Sequence, residues 1–153
     1  MTARDVMTSE PVVVAPGTTL AEAAALMLAV DCGVLPVVDH DRLISIVTDR
    51  DLFIALATRN VVASQLTVGQ VARHDVWTCG PDDDLRAALD TMRRHQVRRL
   101  PVVDASGRVV GIVSMNDVLL AVGGSRAVAP RAVIDTLQQI SAHHHLPSRI
   151  EAP

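Results

Sequence analysis

The feature of this sequence that most constrains its fold is an internal repeat. Residues 35–39 (LPVVD) return as residues 100–104, which lie 65 positions further along the chain. The same offset relates Pro16 to Pro81, and after the repeated pentapeptide the offset becomes 66 because Gly107 is an extra turn residue. Self-similarity at a fixed spacing indicates that one structural unit is used twice. The fold must therefore contain two similar halves.

Each half predicts the same order of elements, β-α-β-β-α. In the first half, strands are expected at residues 12–14, 35–38 and 43–47, because these runs are rich in Val, Leu and Ile and are bounded by turn residues. A helix is expected over residues 49–57. Since a single copy of about 60 residues is only marginally stable, we expect the two copies to form one unit. The predicted fold is mixed α/β (α+β), with two pseudo-symmetric copies packed sheet to sheet.

An amphipathic helix is predicted between the first strand and the hairpin of each copy. Apolar residues follow the i, i+3, i+4, i+7 spacing of one helix face. They are Leu20, Ala23, Ala24 and Met27 in the first copy, and Leu85, Ala88, Leu89 and Met92 in the second. Thr18 or Thr19 is the expected cap of the first helix, and an Asp among residues 82–84 is the expected cap of the second.

The repeat also predicts how the chain is divided. We expect residues 1–60 to form the first copy, residues 61–66 a linker and residues 67–122 the second copy. Residues 123–153 repeat nothing and form a C-terminal extension. Within it, residues 130–142 carry a helical stripe, and the end of the chain is expected to be disordered.

Composition excludes several classes of function. All 14 basic residues are Arg, so Schiff-base chemistry and a P-loop lysine are excluded. Nucleic-acid binding is disfavoured by a net charge of −3 and by the presence of only two aromatic residues, Phe53 and Trp77. Neither a nucleophile elbow nor a metal or triad spacing of His is present, so we predict no enzyme, no catalytic residues and no bound metal.

Composition also bears on location. No apolar run reaches the roughly 18 residues that a membrane span needs, and the N-terminus does not resemble a signal peptide. Cys32 and Cys79 are too few for a disulfide framework, so we expect two reduced thiols. These features together predict a cytoplasmic protein without membrane contact.

A hydroxyl and a carboxylate, three residues apart, begin the last helix of each copy. The pairs are Thr48 with Asp51 and Ser114 with Asp117. A carboxylate at this place can accept both hydroxyl groups of a ribose, and the start of a helix favours phosphate. The same spacing is also a common capping box, which satisfies the helix end without any ligand. The residues alone leave both interpretations open.

The β-α-β-β-α duplication, with LPVVD in both copies and the helix starts IVTDRDL and GIVSMNDV, resembles the CBS-domain family, whose tandem pairs are called Bateman modules. The resemblance covers residues 1 to about 122. It implies a regulatory module that binds an adenosine-containing ligand, such as AMP, ADP, ATP or S-adenosylmethionine, in clefts between the copies. It further implies a homodimer and a target protein that responds to the ligand.

The resemblance also implies which residues contact the ligand. They are Thr48, Arg50, Asp51, Leu35, Pro36 and Val13 in one site, and Ser114, Asp117, Leu100, Pro101, Val76 and Arg99 in the other. The Leu-Pro pairs would contact the base, the Val backbone would read its edge, and Arg would bind phosphate. We favour the first site because it contains Arg50, although Ser45 stands there where the second copy has Gly111.

Three interpretations of the sequence remain open. In the first, the module has lost its ligand and acts as a stress-associated scaffold for other proteins. The Arg93, Arg94, Arg98 and Arg99 cluster is either a solvated face, a phosphate contact or a docking site for an acidic partner, and it also keeps nucleic-acid binding open. Residues 143–145, three consecutive His, predict a solvated tail or a weak intermolecular metal site.

Overall fold

The structure is a computed structural model that describes residues 1–122 and 129–142. Its strands are β1 (Thr8–Ser9), β2 (Val34–Asp39), β3 (Arg42–Thr48), β4 (Arg99–Val103) and β5 (Val109–Ser114). Its helices are α1 (Leu20–Ala29), α2 (Asp49–Arg59), α3 (Leu85–His95), α4 (Met115–Val122) and α5 (Pro130–Ser141), with short 3-10 turns at Ala3–Asp5, Ala63–Gln65 and Val68–Gln70. Within the described residues, every helix is too short or too polar to cross a bilayer.

Two antiparallel hairpins, one in each copy, confirm the predicted fold class. β2 pairs with β3, and β4 pairs with β5, with a register shift at the same repeat position in both. The two turns differ by the predicted extra residue. His40 and Asp41 form the first turn with φ of 47° and 61°, whereas the second contains Gly107 with φ of 85°. The carboxylate of Asp104 braces this longer turn.

The predicted first strand of each copy is reduced to a single bridge. Val14 bridges Val37 in parallel, and Cys79 bridges Val102 in the same way. The prediction of a strand over residues 12–14 was wrong in extent, because the turn that begins at Pro16 carries the chain away after one residue. The strand that does form before α1 is β1, which pairs with β5 of the other copy.

The two sheets differ in strand number, and a glycine marks the difference. β1 lies against β5 with Ser9 opposite Gly111, and a Cβ at Gly111 would collide with the side chain of Met7. The equivalent residue of the first copy is the buried Ser45. There the partner chain forms only an isolated bridge, between Arg73 and Ile46. The result is a three-stranded sheet in the second copy and a two-stranded sheet in the first.

The helices begin at the predicted caps. Thr19 accepts from the N–H of Glu22 at 3.2 Å, and Asp84 accepts from the N–H of Arg86 at 2.8 Å. α2 extends two residues beyond its predicted end and stops at Asn60, whose φ of 51° is left-handed. Asn tolerates this conformation better than most residues, which explains the later end.

Each copy has an aliphatic core, and the segments that lead into the copies are exchanged. Ala3 lies in the core of the second copy, and Val68 lies in the core of the first. The N–H of Leu85 donates to Met1 at 3.0 Å, and the N–H of Leu20 donates to Leu66 at 3.0 Å. Each copy therefore holds the entry segment of the other copy, which supports the expectation that the two form one unit.

Helix α5 covers the second copy. Val133 and Ile140 are buried in that copy's core, and the side-chain amide of Gln96 donates to the carbonyl of Gln139 at 3.0 Å. The helix predicted over residues 130–142 is present as α5, but Ile134, which was predicted to belong to its apolar stripe, is 53% exposed. The three consecutive His and the end expected to be disordered lie outside the described residues.

Candidate functional site

Two clefts lie between the copies. The Asp117 cleft has a volume of about 410 Å³ and is lined by Thr8, Glu10, Pro11, Val12, Val30, Asp31, Cys32, Val34, Arg99, Ile112, Ser114, Asn116 and Asp117. The arginine cleft has a volume of about 290 Å³ and is lined by Val34, Ile46, Thr48, Asp49, Arg50, Arg73, Gln96, Val97, Arg98 and Arg99.

The repeat relates the two clefts residue by residue. Equivalent positions are Thr8 and Arg73, Asp31 and Gln96, Cys32 and Val97, Ile112 and Ile46, Ser114 and Thr48, and Asn116 and Arg50. Val34 and Arg99, which are themselves equivalent, line both clefts. The clefts are therefore two versions of one site, and their differences show how each has been specialised.

The hydroxyl-carboxylate pair forms the same capping box in both clefts. Oδ2 of Asp117 accepts from the Ser114 N–H at 2.7 Å and from its hydroxyl at 2.6 Å. Oδ2 of Asp51 accepts the equivalent bonds from Thr48 at 3.0 and 2.7 Å. Both pairs therefore form capping boxes, but each capping box involves only one oxygen of its carboxylate. A ligand can still bind the other.

The second carboxylate oxygen distinguishes the clefts. Oδ1 of Asp51 accepts from Nε of Arg73 at 3.2 Å, and the Asp51 side chain is only 9% exposed. At the position of Arg73, the Asp117 cleft has Thr8. Among the described contacts, Oδ1 of Asp117 accepts none. Of the two, the Asp117 cleft presents a carboxylate oxygen to a ligand.

The apolar walls of the clefts differ too. In the Asp117 cleft, the wall contains Val12 and Val30. Their equivalents in the second copy are Trp77 and His95, whose rings stack on each other with centroids 3.4 Å apart and an interplanar angle of 12°. Neither ring lines the arginine cleft. An aromatic pair thus occupies, beside the arginine cleft, the place that is open in the Asp117 cleft.

The clefts carry opposite charge. Glu10, Asp31 and Asp117 face the single cation Arg99 in the Asp117 cleft, which gives a formal charge of −2. In the arginine cleft, four guanidinium groups face Asp49, which gives +3 from the lining residues, and the ion pair of Arg73 with Asp51 reduces this to +2. The two clefts therefore differ in the sign of their formal charge, which disfavours anions in the Asp117 cleft and cations in the arginine cleft.

Backbone N–H groups at the start of α2 already have partners. The N–H of Asp49 donates to Gly33 at 3.2 Å, that of Arg50 to the Asp49 carboxylate at 2.7 Å, and that of Asp51 to the Thr48 hydroxyl at 3.2 Å. The expectation that this backbone binds phosphate is not supported. An anion in the arginine cleft has to rely on arginine side chains.

The structure brings half of the predicted contact residues to the clefts. Thr48, Arg50, Ser114, Asp117 and Arg99 line them, and Asp51 lies behind the arginine cleft in its ion pair with Arg73. The remaining six predicted residues lie elsewhere; they are Leu35, Pro36, Val13, Leu100, Pro101 and Val76.

The Leu-Pro pairs predicted to contact the base do not line either cleft. Leu35 and Leu100 are 1% and 0% exposed and belong to the two cores. Side chains alternate along a strand, so the residue before Leu35, Val34, faces the clefts while Leu35 faces the core. Pro36 and Pro101 are buried, and their carbonyls accept from the first-bridge residues Val14 and Cys79.

The two predicted backbone contacts also lie away from the clefts. Val13 is 43% exposed and lines a separate groove that contains Arg108. Val76 is half-buried and lies next to Trp77 in the chain, outside both clefts. In the Asp117 cleft, the valine that does line the wall is the neighbouring Val12.

The two cysteines differ in environment. Burial, together with the nearby charge of Asp83, raises the pKa of the Cys79 thiol to about 11. Cys32 is half-buried, lines the Asp117 cleft and donates to the carbonyl of Val34 at 3.3 Å. Over residues 1–122 and 129–142, no three side chains of His, Cys, Asp or Glu come together as metal ligands.

Comparison with known proteins decides the family. The model of the CBS domain matches residues 3–58 and 68–124, which are the two copies. The chain belongs to the CBS-domain family. It is a tandem CBS pair, as the repeat indicated. Its relatives include Hypoxic response protein 1 of Mycobacterium tuberculosis, which is 36% identical over 118 residues that make up 76% of this chain and 82% of that protein.

Solved CBS structures have the same fold. The CBS domain pair of protein MJ0100, in complex with 5′-methylthioadenosine and S-adenosyl-L-methionine, is 28% identical with a TM-score of 0.74 and covers 81% of this chain and 97% of its own. CBSX2 in complex with AMP is 28% identical with a TM-score of 0.69, covering 79% and 95%. A structure of Hypoxic Response Protein I holds two coordinated zinc ions, with 35% identity, a TM-score of 0.72, and coverage of 78% and 98%.

Proposed function

We propose that this tandem CBS pair is a regulatory module that binds an adenosine-containing ligand in the Asp117 cleft. The observation that carries the proposal is the Asp117 carboxylate, whose Oδ2 is fixed by Ser114 while Oδ1 has no described partner. A fixed carboxylate oxygen at a cleft is a good acceptor for the hydroxyl groups of a ribose. We prefer this cleft to the site with Arg50, which the sequence favoured, because Oδ1 of Asp51 already accepts a hydrogen bond from Arg73.

The apolar wall and the formal charge of the Asp117 cleft limit which ligands fit it. Val12, Val30 and Val34 offer apolar contact to a base, and a volume of about 410 Å³ is typical of small-molecule sites. The formal charge of −2 disfavours a string of phosphates. Adenosine derivatives that are neutral or cationic fit best, and S-adenosylmethionine, with its sulfonium and amino groups, is the foremost of these.

Two related structures support the ligand class. The MJ0100 structure contains 5′-methylthioadenosine, a thioether, and S-adenosyl-L-methionine, a sulfonium compound, and the CBSX2 structure contains AMP. Both cover about four-fifths of this chain at 28% identity. They support adenosine as the common part of the ligand, whereas the choice among its derivatives rests on the charge of the Asp117 cleft.

Regulation requires that the ligand prefer one state of the module, because equal affinity for two states changes nothing. We propose a homodimer as the responding unit. Phe53 and Ile54 on α2 and their equivalents Leu119 and Leu120 on α4 are between 42% and 82% exposed, and exposed apolar patches mark interaction surfaces. Light scattering of Phe53→Glu with Leu120→Glu should show a monomer, and an unchanged mass would remove this surface from the interface.

Thermal melting with a ligand panel tests the binding site. The panel contains S-adenosylmethionine, 5′-methylthioadenosine, AMP, ADP, ATP, NAD and cyclic dinucleotides. A ligand at about 100 times its Kd adds about 2.7 kcal/mol, or roughly 5–10 °C for a chain of this size. We expect Asp117→Asn to lose this rise and its matched control, Asp51→Asn, to keep it.

Two results would contradict the proposal. If no compound raises the melting temperature at millimolar concentration, the module acts through its surface, as in the scaffold alternative. If Asp51→Asn loses the rise and Asp117→Asn keeps it, the ligand binds in the arginine cleft instead. The absence of catalytic activity and a cytoplasmic location remain predictions.

A further inference from the structure

The arginine cleft gathers positive charge that the chain itself does not neutralise. Arg50 lies in the first turn of α2, Arg98 and Arg99 lie at the start of β4, and Arg73 follows the 3-10 turn at Val68–Gln70. Within the described residues, the side chains of Arg50, Arg98 and Arg99 have no acidic partner; Arg73 alone is paired. Three free guanidinium groups therefore share one cavity.

Such an arrangement suits an anion. The guanidinium side chains are exposed, so water screens much of their mutual repulsion, and an anion that contacts several of them would neutralise their charge. A guanidinium group offers paired N–H donors that match the oxygens of a phosphate. Since the backbone N–H groups at the start of α2 are already used, these side chains are the donors that remain.

The same cleft lacks the features that an adenosine needs. Its carboxylate is bound to Arg73, so the ribose acceptor is occupied. The position equivalent to Val12 and Val30 is filled by the stacked rings of Trp77 and His95. A ligand here gains little from a base or a ribose. Its affinity has to come from its negative charge.

We propose that the arginine cleft is a separate site for an anion that carries two or more phosphate groups, and not a second adenosine site. Its ligand class is a linear polyphosphate or the polyphosphate part of a nucleotide. The inference depends on the proposed function only for its regulatory meaning, because the site is defined by residues that the Asp117 cleft does not use, apart from the shared Val34 and Arg99.

Calorimetric titration with inorganic triphosphate tests the site. At constant ionic strength, wild-type protein should bind triphosphate, and Arg50→Gln and Arg98→Gln should each bind it about tenfold more weakly, as expected for the loss of a charged hydrogen bond. The matched control is Arg131→Gln on α5, an exposed residue outside both clefts that makes the same change in net charge. Its affinity should equal that of the wild type.

A second set of titrations separates this inference from the proposed function. Asp117→Asn should bind triphosphate normally, and ATP should bind no more tightly than triphosphate in that variant. Adenosine without phosphate should not bind to it. The inference is overturned if triphosphate does not bind at millimolar concentration, or if Arg131→Gln weakens it as much as Arg50→Gln. An adenosine ligand that still binds wild type through Asp117 would then leave the proposed function intact.

Discussion

Nε of Arg73 lies 3.2 Å from Oδ1 of Asp51, and this contact distinguishes two clefts that the repeat would otherwise make alike. At the equivalent place in the first copy, Thr8 leaves Oδ1 of Asp117 without a described partner. The residue type at one repeated position thus decides whether the second carboxylate oxygen is paired within the chain, as in Asp51, or has no described partner, as in Asp117.

Placing arginine at position 8, as at position 73, should make the Asp117 carboxylate less available to a ligand. We expect Thr8→Arg to weaken binding of the adenosine ligand by about tenfold or more, because the new guanidinium competes for Asp117. Isothermal titration measures the loss. Thr8→Ser is the control and should bind as the wild type does. An unchanged affinity in Thr8→Arg would show that Asp117 does not contact the ligand.

The converse exchange should open the other cleft. Arg73→Thr combined with Trp77→Val and His95→Val places, at and beside the arginine cleft, the residue types found at the equivalent positions of the Asp117 cleft. Calorimetry should then find two adenosine ligands per chain instead of one. If the stoichiometry does not change while the variant stays folded, other residues block the cleft.

The repeat predicted the fold well because it lies in long, regular elements. The spacing of Leu85, Ala88 and Met92 gave α3, and the extra Gly107 gave the longer turn. The strand predicted over residues 12–14 was too long, and β1 was not predicted at all. β1 pairs with β5 of the other copy, and strand propensity carries no information about pairing between copies.

The site was predicted less completely. The pairs that begin α2 and α4 could be read from their spacing, but the role of Arg73 requires knowing that the chain leading into one copy packs beside the other. The repeat offset did contain a signal, since it relates Arg73 to Thr8 and Trp77 to Val12. Leu35 was placed at the cleft for another reason: where a strand is buried on both sides, the sequence does not show which of its faces meets the cleft.

The two thiols should differ in their reaction with alkylating reagents. With a pKa of about 11, Cys79 has only about one thousandth of its thiol ionised at pH 8, and burial also blocks access. Iodoacetamide followed by peptide mass mapping should therefore modify Cys32 first. Because Cys32 lines the Asp117 cleft, a bound ligand should slow its modification. Equal labelling of both thiols in the folded protein would contradict the assignment.

The same thiol predicts a pH dependence of stability. The folded pKa of Cys79 is raised from its ordinary 9.0 to about 11, so the unfolded chain loses this proton first. The stabilisation is present in full below pH 9 and is lost as pH rises from 9 to 11. Denaturant unfolding of wild type and Cys79→Ala, compared across this range, should show the additional fall in the wild type alone.

Helix α5 should contribute to the stability of the second copy. Val133 is 1% exposed in its core, whereas the adjacent Ile134 is 53% exposed. Val133→Ala should cost about 2 kcal/mol by leaving a cavity, a fall of roughly 4–8 °C in the melting temperature. Ile134→Ala should change stability by less than about 0.5 kcal/mol. Similar effects of the two substitutions would mean that α5 is not packed as described.

Arg99 should couple the two clefts, because its side chain lines both. A polyphosphate in the arginine cleft attracts this guanidinium and withdraws positive charge from the Asp117 cleft, which already carries −2. A cationic adenosine ligand such as S-adenosylmethionine should then bind more tightly, by a few-fold to about tenfold for a coupling of about 1 kcal/mol. Titration of S-adenosylmethionine with and without saturating triphosphate measures the effect, and reciprocity requires the same factor in the reverse experiment. Arg99→Gln should abolish the coupling while Arg131→Gln keeps it. Equal affinities with and without triphosphate in the wild type would show that the clefts act independently.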